Sequence, residues 1–320
     1  MNLKQIFRLG REMQLSISGL EPSYRCPHVC SHCCMKLTPN GYQMSFASAQ
    51  LLFSFEDLRF QSHSILSGGD CFHYYDDGKN VSHLVELFLQ KGVESVSINT
   101  AGFGPNSRIP LEAASGLSQY GGKVFCVLSV NMFQGKRDDY WKKLSHTIET
   151  VGQANIPITA LHTVFSKETE AETLEFVAAL VEKYNGKGLS ENVWVESGSL
   201  EKVGRGERLR GAVARDISKR VCTIHEKTSE GRTFSIGPRG DLSPCVRVLG
   251  EGMPPFANVF EHTWEGIADR YKSYVEQFDK HQKINPNGVA RCVWHRQMVF
   301  RPPAPKKSHL RARPLAKATL

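Results

Sequence analysis

The residues best suited to chemistry in this chain of 320 are three cysteines in one short run, Cys26-x3-Cys30-x2-Cys33. Thiolates are the soft ligands that iron–sulfur clusters and zinc select. Three of them on one loop can hold three corners of a four-iron cube and leave the fourth iron open. The alternative is a structural zinc ion, closed into a tetrahedron by Cys34, His28 or His32. Zinc modules usually bring a second CxxC or HxxxH pair nearby, and beyond this loop none occurs before Cys71. Nine cysteines, four of them within nine residues, do not form the spread pattern of a secreted disulfide scaffold. Reduced thiols kept for a metal in the cytoplasm are the expectation.

The cysteines follow directly on the first of six short β-branched runs, at about 15–20, 64–69, 93–100, 123–130, 156–165 and 192–197. Between these runs lie segments with apolar residues at helical spacing, such as Leu84, Leu87 and Phe88, or Tyr140, Leu144, Ile148 and Val151. Weaker helices are expected at about 44–59 and 109–119. Asn80 is placed to cap a helix and Gly92 to stop it. Such alternation is that of βα units around a parallel sheet, an α/β fold. In barrels of parallel strands the chemistry sits on loops leaving the C-terminal strand ends. Here those ends carry Ser67-Gly68-Gly69-Asp70, Asn99-Thr100-Ala101-Gly102 and Ser129-Val130-Asn131.

Composition sets outer bounds. A 40% apolar, 22% charged chain is neither disordered nor collagen-like. No run approaches the roughly 18 apolar residues of a membrane span, and no targeting segment is expected at the N-terminus, so the sequence predicts a soluble protein without a membrane partner. The net charge of +8 is concentrated at the end of the chain: Arg301, Lys306, Lys307, Arg311, Arg313 and Lys317 lie in the last twenty residues without an acid. The remainder balances 34 basic residues against 32 acidic ones. That distribution argues for a loose basic tail over 301–320 and against a nucleic-acid groove.

With these motifs in place, the chain resembles the radical S-adenosylmethionine (SAM) superfamily over about residues 14–200. The resemblance implies a partial (β/α)6 TIM-like barrel with a small C-terminal α+β extension. It implies that Cys26, Cys30 and Cys33 bind a [4Fe–4S] cluster whose open iron is chelated by SAM. His32 stands where the family has Tyr or Phe. Gly68, Gly69 and Asp70 resemble the GGE motif that receives the SAM amino group, Thr100 lies in the third-strand stretch, and Ser129 and Asn131 take the places of the serine and aspartate that follow. An arginine expected about a dozen residues after Ser129 is absent, Trp141 and Lys142 standing there. Reduction of the cluster would cleave SAM to a 5′-deoxyadenosyl radical that abstracts hydrogen from a substrate. A low-potential donor such as flavodoxin or ferredoxin would supply the electron.

After residue 200 the βα rhythm ends. Residues 201–300 resemble a shortened SPASM/twitch extension: Gly204-Arg205-Gly206, a hairpin over 234–245 turning at Pro238-Arg239-Gly240, the G-x4-C element ending at Cys245, a segment from Asn258, and a helix near 263–277. Cys222, Cys245 and Cys292 could hold a second iron–sulfur cluster, or be small buried hydrophobes. The full CxxCx5Cx3C run is not present. Cys126, in the middle of the fourth strand, reads as a core residue, and Cys34 as packed beside the loop. Cys71 either packs or donates a hydrogen atom or a substrate bond at the barrel mouth. His28 and His162 lie near that mouth, whereas His63, His83, His146 and His225 carry no signal.

Three functions follow. The first is a radical SAM enzyme acting on a peptide or protein side chain, the company that SPASM-type extensions keep in the resembled family. The second is radical oxidation or rearrangement of a small molecule such as a sugar or nucleotide derivative. A third, of another class, is a non-catalytic zinc- or RNA-binding module on Cys26–Cys34 with the basic tail.

Overall fold

The structure, a computed structural model, describes residues 15–33, 35, 37–131, 133, 137–199, 227–228, 231–243 and 255–284. Cys34, Cys222, Cys245, Cys292, His225 and the basic tail lie outside the described residues.

Six parallel strands form the body: β1 (Leu15–Ser23), β2 (Phe60–Gly68), β5 (Ser95–Thr100), β6 (Val124–Ser129), β7 (Ile158–Phe165) and β8 (Leu189–Ser199), paired in that order. Five helices connect them: α1 (Phe46–Ser54), α2 (Val81–Gln90), α3 (Arg108–Leu117), α4 (Arg137–Gln153) and α5 (Glu170–Tyr184). All six predicted strands are present. Among the described residues nothing pairs β8 with the opposite end of the sheet, so this is a partial TIM-like barrel. A short hairpin, β3 (Tyr75–Asp76) and β4 (Lys79–Asn80), precedes α2.

Strand register explains the core. Ile236, Leu20, Leu66, Ile98, Cys126 and Ile158 pair in succession across the sheet, and every one is fully enclosed. Side chains alternate along a strand, so paired residues share a face and this row faces the helices. Cys126 falls on it, as its mid-strand position implies. On the other face Ile65 remains 39% exposed. Local signals hold too: the Asn80 side chain accepts from the Ser82 amide and His83 Nδ1 from the Asn80 amide, closing a capping box on α2, and Gly92 ends that helix at φ +90°. His83, silent in the sequence, therefore works as a cap.

The C-terminal hairpin forms as expected from β10 (Gly231–Ile236) and β11 (Asp241–Ser243), with Gly240 in the turn at φ +83°. Its placement was not foreseen. β10 lies parallel beside β1, so the hairpin, together with β9 (Lys227–Thr228) and β12 (Ala257–Asn258), continues the barrel sheet. Helix α6 (Trp264–Ile284) packs Tyr271 and Tyr274 against Phe256.

Candidate functional site

The loop after β1 carries Cys26, Cys30 and Cys33 and is fastened at its base. The Tyr24 amide donates to the Tyr42 carbonyl at 2.7 Å and the Cys26 amide to the Thr38 carbonyl at 2.8 Å. Between Cys30 and Cys33 a tight turn closes through a 3.2 Å amide-to-carbonyl bond. Val29, inside the Cys26–Cys30 spacing, has φ 45°, a strained value for a β-branched residue. Opposite the turn, His32 meets the Phe133 ring at 5.3 Å and Ser31 donates to the Phe133 carbonyl. The loop after β6 therefore supports the far side of the cysteine loop.

The Gly-Gly-Asp stretch is threaded under the same loop. The Gly69 amide donates to the Ser23 carbonyl at 2.6 Å. A Cβ on Gly69 would come within 2.2 Å of the Arg25 carbonyl oxygen, and one on Gly68 within 2.8 Å of that of Ser23, where φ is also +96°. Glycine is required at both positions because the backbone of β1 passes directly over them.

Asp70 is 4% exposed and fully engaged. One carboxylate oxygen, Oδ1, accepts from the Phe72 amide and the Thr100 hydroxyl; Oδ2 accepts from Thr100 again, from the Ala101 amide at 2.8 Å and from His28 Nε2 at 2.8 Å. Burial alone would raise its pKa, but the His28 bond, the charges of His28 and His73, and the Ala101 amide hold it down at about 2. Asp70 is thus a carboxylate, and His28 Nε2 carries the shared proton. His73 lies edge-on to His28 at 5.5 Å, and burial lowers its pKa. His28, Asp70 and His73 have ligand atoms all within 4.8 Å of one another. Asp70 is engaged by four donors, the Thr100 hydroxyl being shared between its two oxygens, whereas His73 Nε2 is buried without a hydrogen-bond partner among the described residues.

The cysteines have a different geometry. Three thiolates on one zinc ion would stand about 3.8 Å apart, from Zn–S bonds of about 2.3 Å at tetrahedral angles. Cys26, Cys30 and Cys33 do not all come within 4.8 Å of one another. All three are free thiols on one fastened loop. Burial pushes the Cys26 thiol up.

Thr100 lies at the end of β5 with its hydroxyl spent on Asp70, while that oxygen accepts from the Gly102 amide. At the end of β6, the Tyr140 hydroxyl donates to the Ser129 carbonyl and accepts from the Asn131 amide, each at 3.0 Å. Asn131 is buried and its Oδ1 accepts from the Phe133 amide, which shapes the turn. Cys71 opens a short 3-10 turn, Cys71–His73, 1% exposed with its thiol donating to the Ser67 carbonyl at 3.3 Å; burial raises its pKa well above the usual range. His162 is half-buried on β7, its carbonyl receiving the Val130 amide. A cleft of about 380 Å³ opens beside His73, bounded by Tyr75, Ser107, Arg108 and Pro110.

Two residues here were not read from the sequence. Lys143 extends along Gly102, within 3.5 Å of where a Cβ there would sit, and holds its Nζ 4.9 Å from the centre of the Tyr140 ring. Burial lowers its pKa, and Asp70, Cys30 and Cys26 pull it back up. The signal was present, since 140, 143, 144, 147 and 151 form one stripe of α4. Glu21, fully enclosed on β1, has its pKa raised to about 8 by burial, the Tyr24 hydroxyl offsetting this in part. No sequence pattern marks it.

Searches against protein-family models and against curated proteins found no match. Solved structures do match. Streptococcus suis SuiB bound to S-adenosylmethionine aligns over 89% of this chain and 75% of its own, with a TM-score of 0.58 at 15% identity. SuiB bound to its precursor peptide SuiA aligns over 83% and 67%, with a TM-score of 0.57 at 15% identity. Native anSMEcpe with bound AdoMet and the Cp18Cys peptide aligns over 87% and 88%, with a TM-score of 0.52 at 10% identity. These neighbours are radical SAM enzymes, and this chain has their fold.

Proposed function

We propose that this chain is a radical SAM enzyme, with Cys26, Cys30 and Cys33 holding a [4Fe–4S] cluster and the ends of β2, β5 and β6 framing SAM. The observation that carries this reading is the fastening of a three-thiol loop over Gly68 and Gly69 at the C-terminal edge of a parallel sheet. When bound, the cluster and SAM together supply a 5′-deoxyadenosyl radical able to remove hydrogen from carbon. The chain's own residues do the rest. Cys26, Cys30 and Cys33 supply three thiolates and leave one coordination position for a ligand. Gly68 and Gly69 allow the second strand to approach the loop. Asp70, saturated by its neighbours, acts by fixing the loop through His28 and the β5 end through Thr100 and Ala101. Ser129 keeps its side chain half-exposed for the ribose.

A peptide or protein side chain is the favoured substrate, because SuiB is known with a bound precursor peptide and anSMEcpe with a bound peptide. A flavodoxin- or ferredoxin-type donor would reduce the cluster. Residues 201–300 are proposed as an auxiliary region in which Cys222, Cys245 and Cys292 hold a second cluster. Among the described residues no helix is long and apolar enough to cross a membrane.

Anaerobic reconstitution tests the reading. Absorption near 400 nm should appear, and dithionite should drive cleavage of SAM to 5′-deoxyadenosine and methionine. A variant with Cys26, Cys30 and Cys33 all changed to Ala should lose that cleavage yet keep about four irons per chain if the second cluster exists. Cleavage by the triple variant would overturn the main reading, and an iron content near zero would remove the second cluster.

A further inference from the structure

We infer that Lys143 is the fixed cation that sets the reduction potential of the cluster on Cys26, Cys30 and Cys33, an inference that rests on the function proposed above. Three observations place it. Lys143 leaves the stripe of α4 that faces the sheet, and its stem lies along Gly102 at the end of β5. Its ammonium is held over the Tyr140 ring, whose hydroxyl is bonded to both Ser129 and Asn131 at the end of β6. The helix is clamped at the same level by Thr147, whose hydroxyl donates to the carbonyls of Lys143 and Phe103 and accepts the Phe103 amide at 2.8 Å. The charge is therefore held half-buried between the ends of β5 and β6, where Asp70, Cys30 and Cys26 act on it electrostatically.

The surroundings are strongly anionic. With the cluster bound, three cysteine thiolates and the ionised Asp70 would meet there, and one-electron reduction would add a further negative charge that must come from the external donor. A cation held at short range in a partly desolvated site stabilises the more negative, reduced state more than the oxidised one. His28 is engaged with Asp70, and burial lowers the pKa of His73, so Lys143 is the group suited to this role. Solvation would screen Arg25 or Lys142 on the surface far more.

The test is a redox titration followed by electron paramagnetic resonance, on the full-length protein reconstituted without SAM. In Lys143→Met and Lys143→Gln, the ratio of reduced to oxidised cluster at a fixed potential should fall about tenfold, which for one electron is about 59 mV in midpoint. Lys143→Arg should match the parent. Iron content and far-UV circular dichroism establish that each variant is folded and loaded. An unchanged midpoint in the loaded neutral variants would overturn the inference while leaving the function intact. Loss of the cluster from both neutral variants with the fold retained would also overturn it, making Lys143 a structural support. A parent protein that takes up no cluster would instead bring down the underlying function.

Discussion

His28 Nε2 lies 2.8 Å from Asp70 Oδ2, and this one bond ties the cysteine loop after β1 to the turn after β2. Both the spacing of the cysteines and the position of the Gly-Gly-Asp stretch become a single rigid unit through it. Removing Asp70 leaves Thr100, the Ala101 amide and His28 without their acceptor. Asp70→Ala should therefore cost about 3 kcal/mol in urea unfolding, and His28→Ala, at a more exposed site, about 1 kcal/mol. Because the folded pKa of Asp70 is held near 2, below its unfolded value, its contribution is present above about pH 4 and is lost as pH falls towards 2. A parent protein and an Asp70→Asn variant that lose stability identically between pH 4 and 2 would refute this assignment.

Glu21 titrates in the opposite sense. Its folded pKa of about 8 lies above the unfolded value, so its contribution is complete below about pH 4.5 and declines as pH rises towards 8. Across that window the parent should lose on the order of 1.4 kcal/mol per pH unit relative to Glu21→Gln. Chemical denaturation at pH 5, 7 and 8.5 reads the difference, which should be flat if Glu21 is ionised throughout.

Close backbone approach makes Gly69 unusually intolerant. Gly69→Ala should destabilise by about 2–3 kcal/mol, since the added methyl meets the Arg25 carbonyl oxygen and nothing flexible can yield. Gly104→Ala is the control: a Cβ there meets nothing within 4 Å, and the change should stay within about 0.5 kcal/mol. Equal thermal shifts in the two variants would count against the threading of Gly69 beneath the loop.

Cys71 is enclosed, and its thiol is already donated to the Ser67 carbonyl. Packing then predicts that Cys71→Ala costs on the order of 1 kcal/mol and leaves the product unchanged. A hydrogen-atom donor would behave differently. In deuterated water it would deliver one deuterium to the product, a label visible by mass spectrometry that Cys71→Ala should abolish.

The sequence by itself determined the parts whose cause is local. Six strands and the helices between them follow from apolar periodicity, the start of α2 from Asn80, its end from Gly92, and the thiol loop from the spacing of Cys26, Cys30 and Cys33. Each of these depends on residues a few positions apart, which is the range over which a sequence pattern constrains the backbone. Tertiary structure alone decided what those parts meet. Asp70 ends the motif whose backbone is expected to receive the SAM amino group, and the tertiary structure alone places its carboxylate against Thr100 and Ala101. The missing arginine drew attention to positions 141 and 142, whereas the rotation of α4 against β5 carries Lys143 to Gly102. The 231–243 hairpin was legible as a hairpin but not as an extension of the β1 edge, because a strand's pattern fixes which of its faces is apolar and leaves its neighbour to be chosen by the assembled sheet.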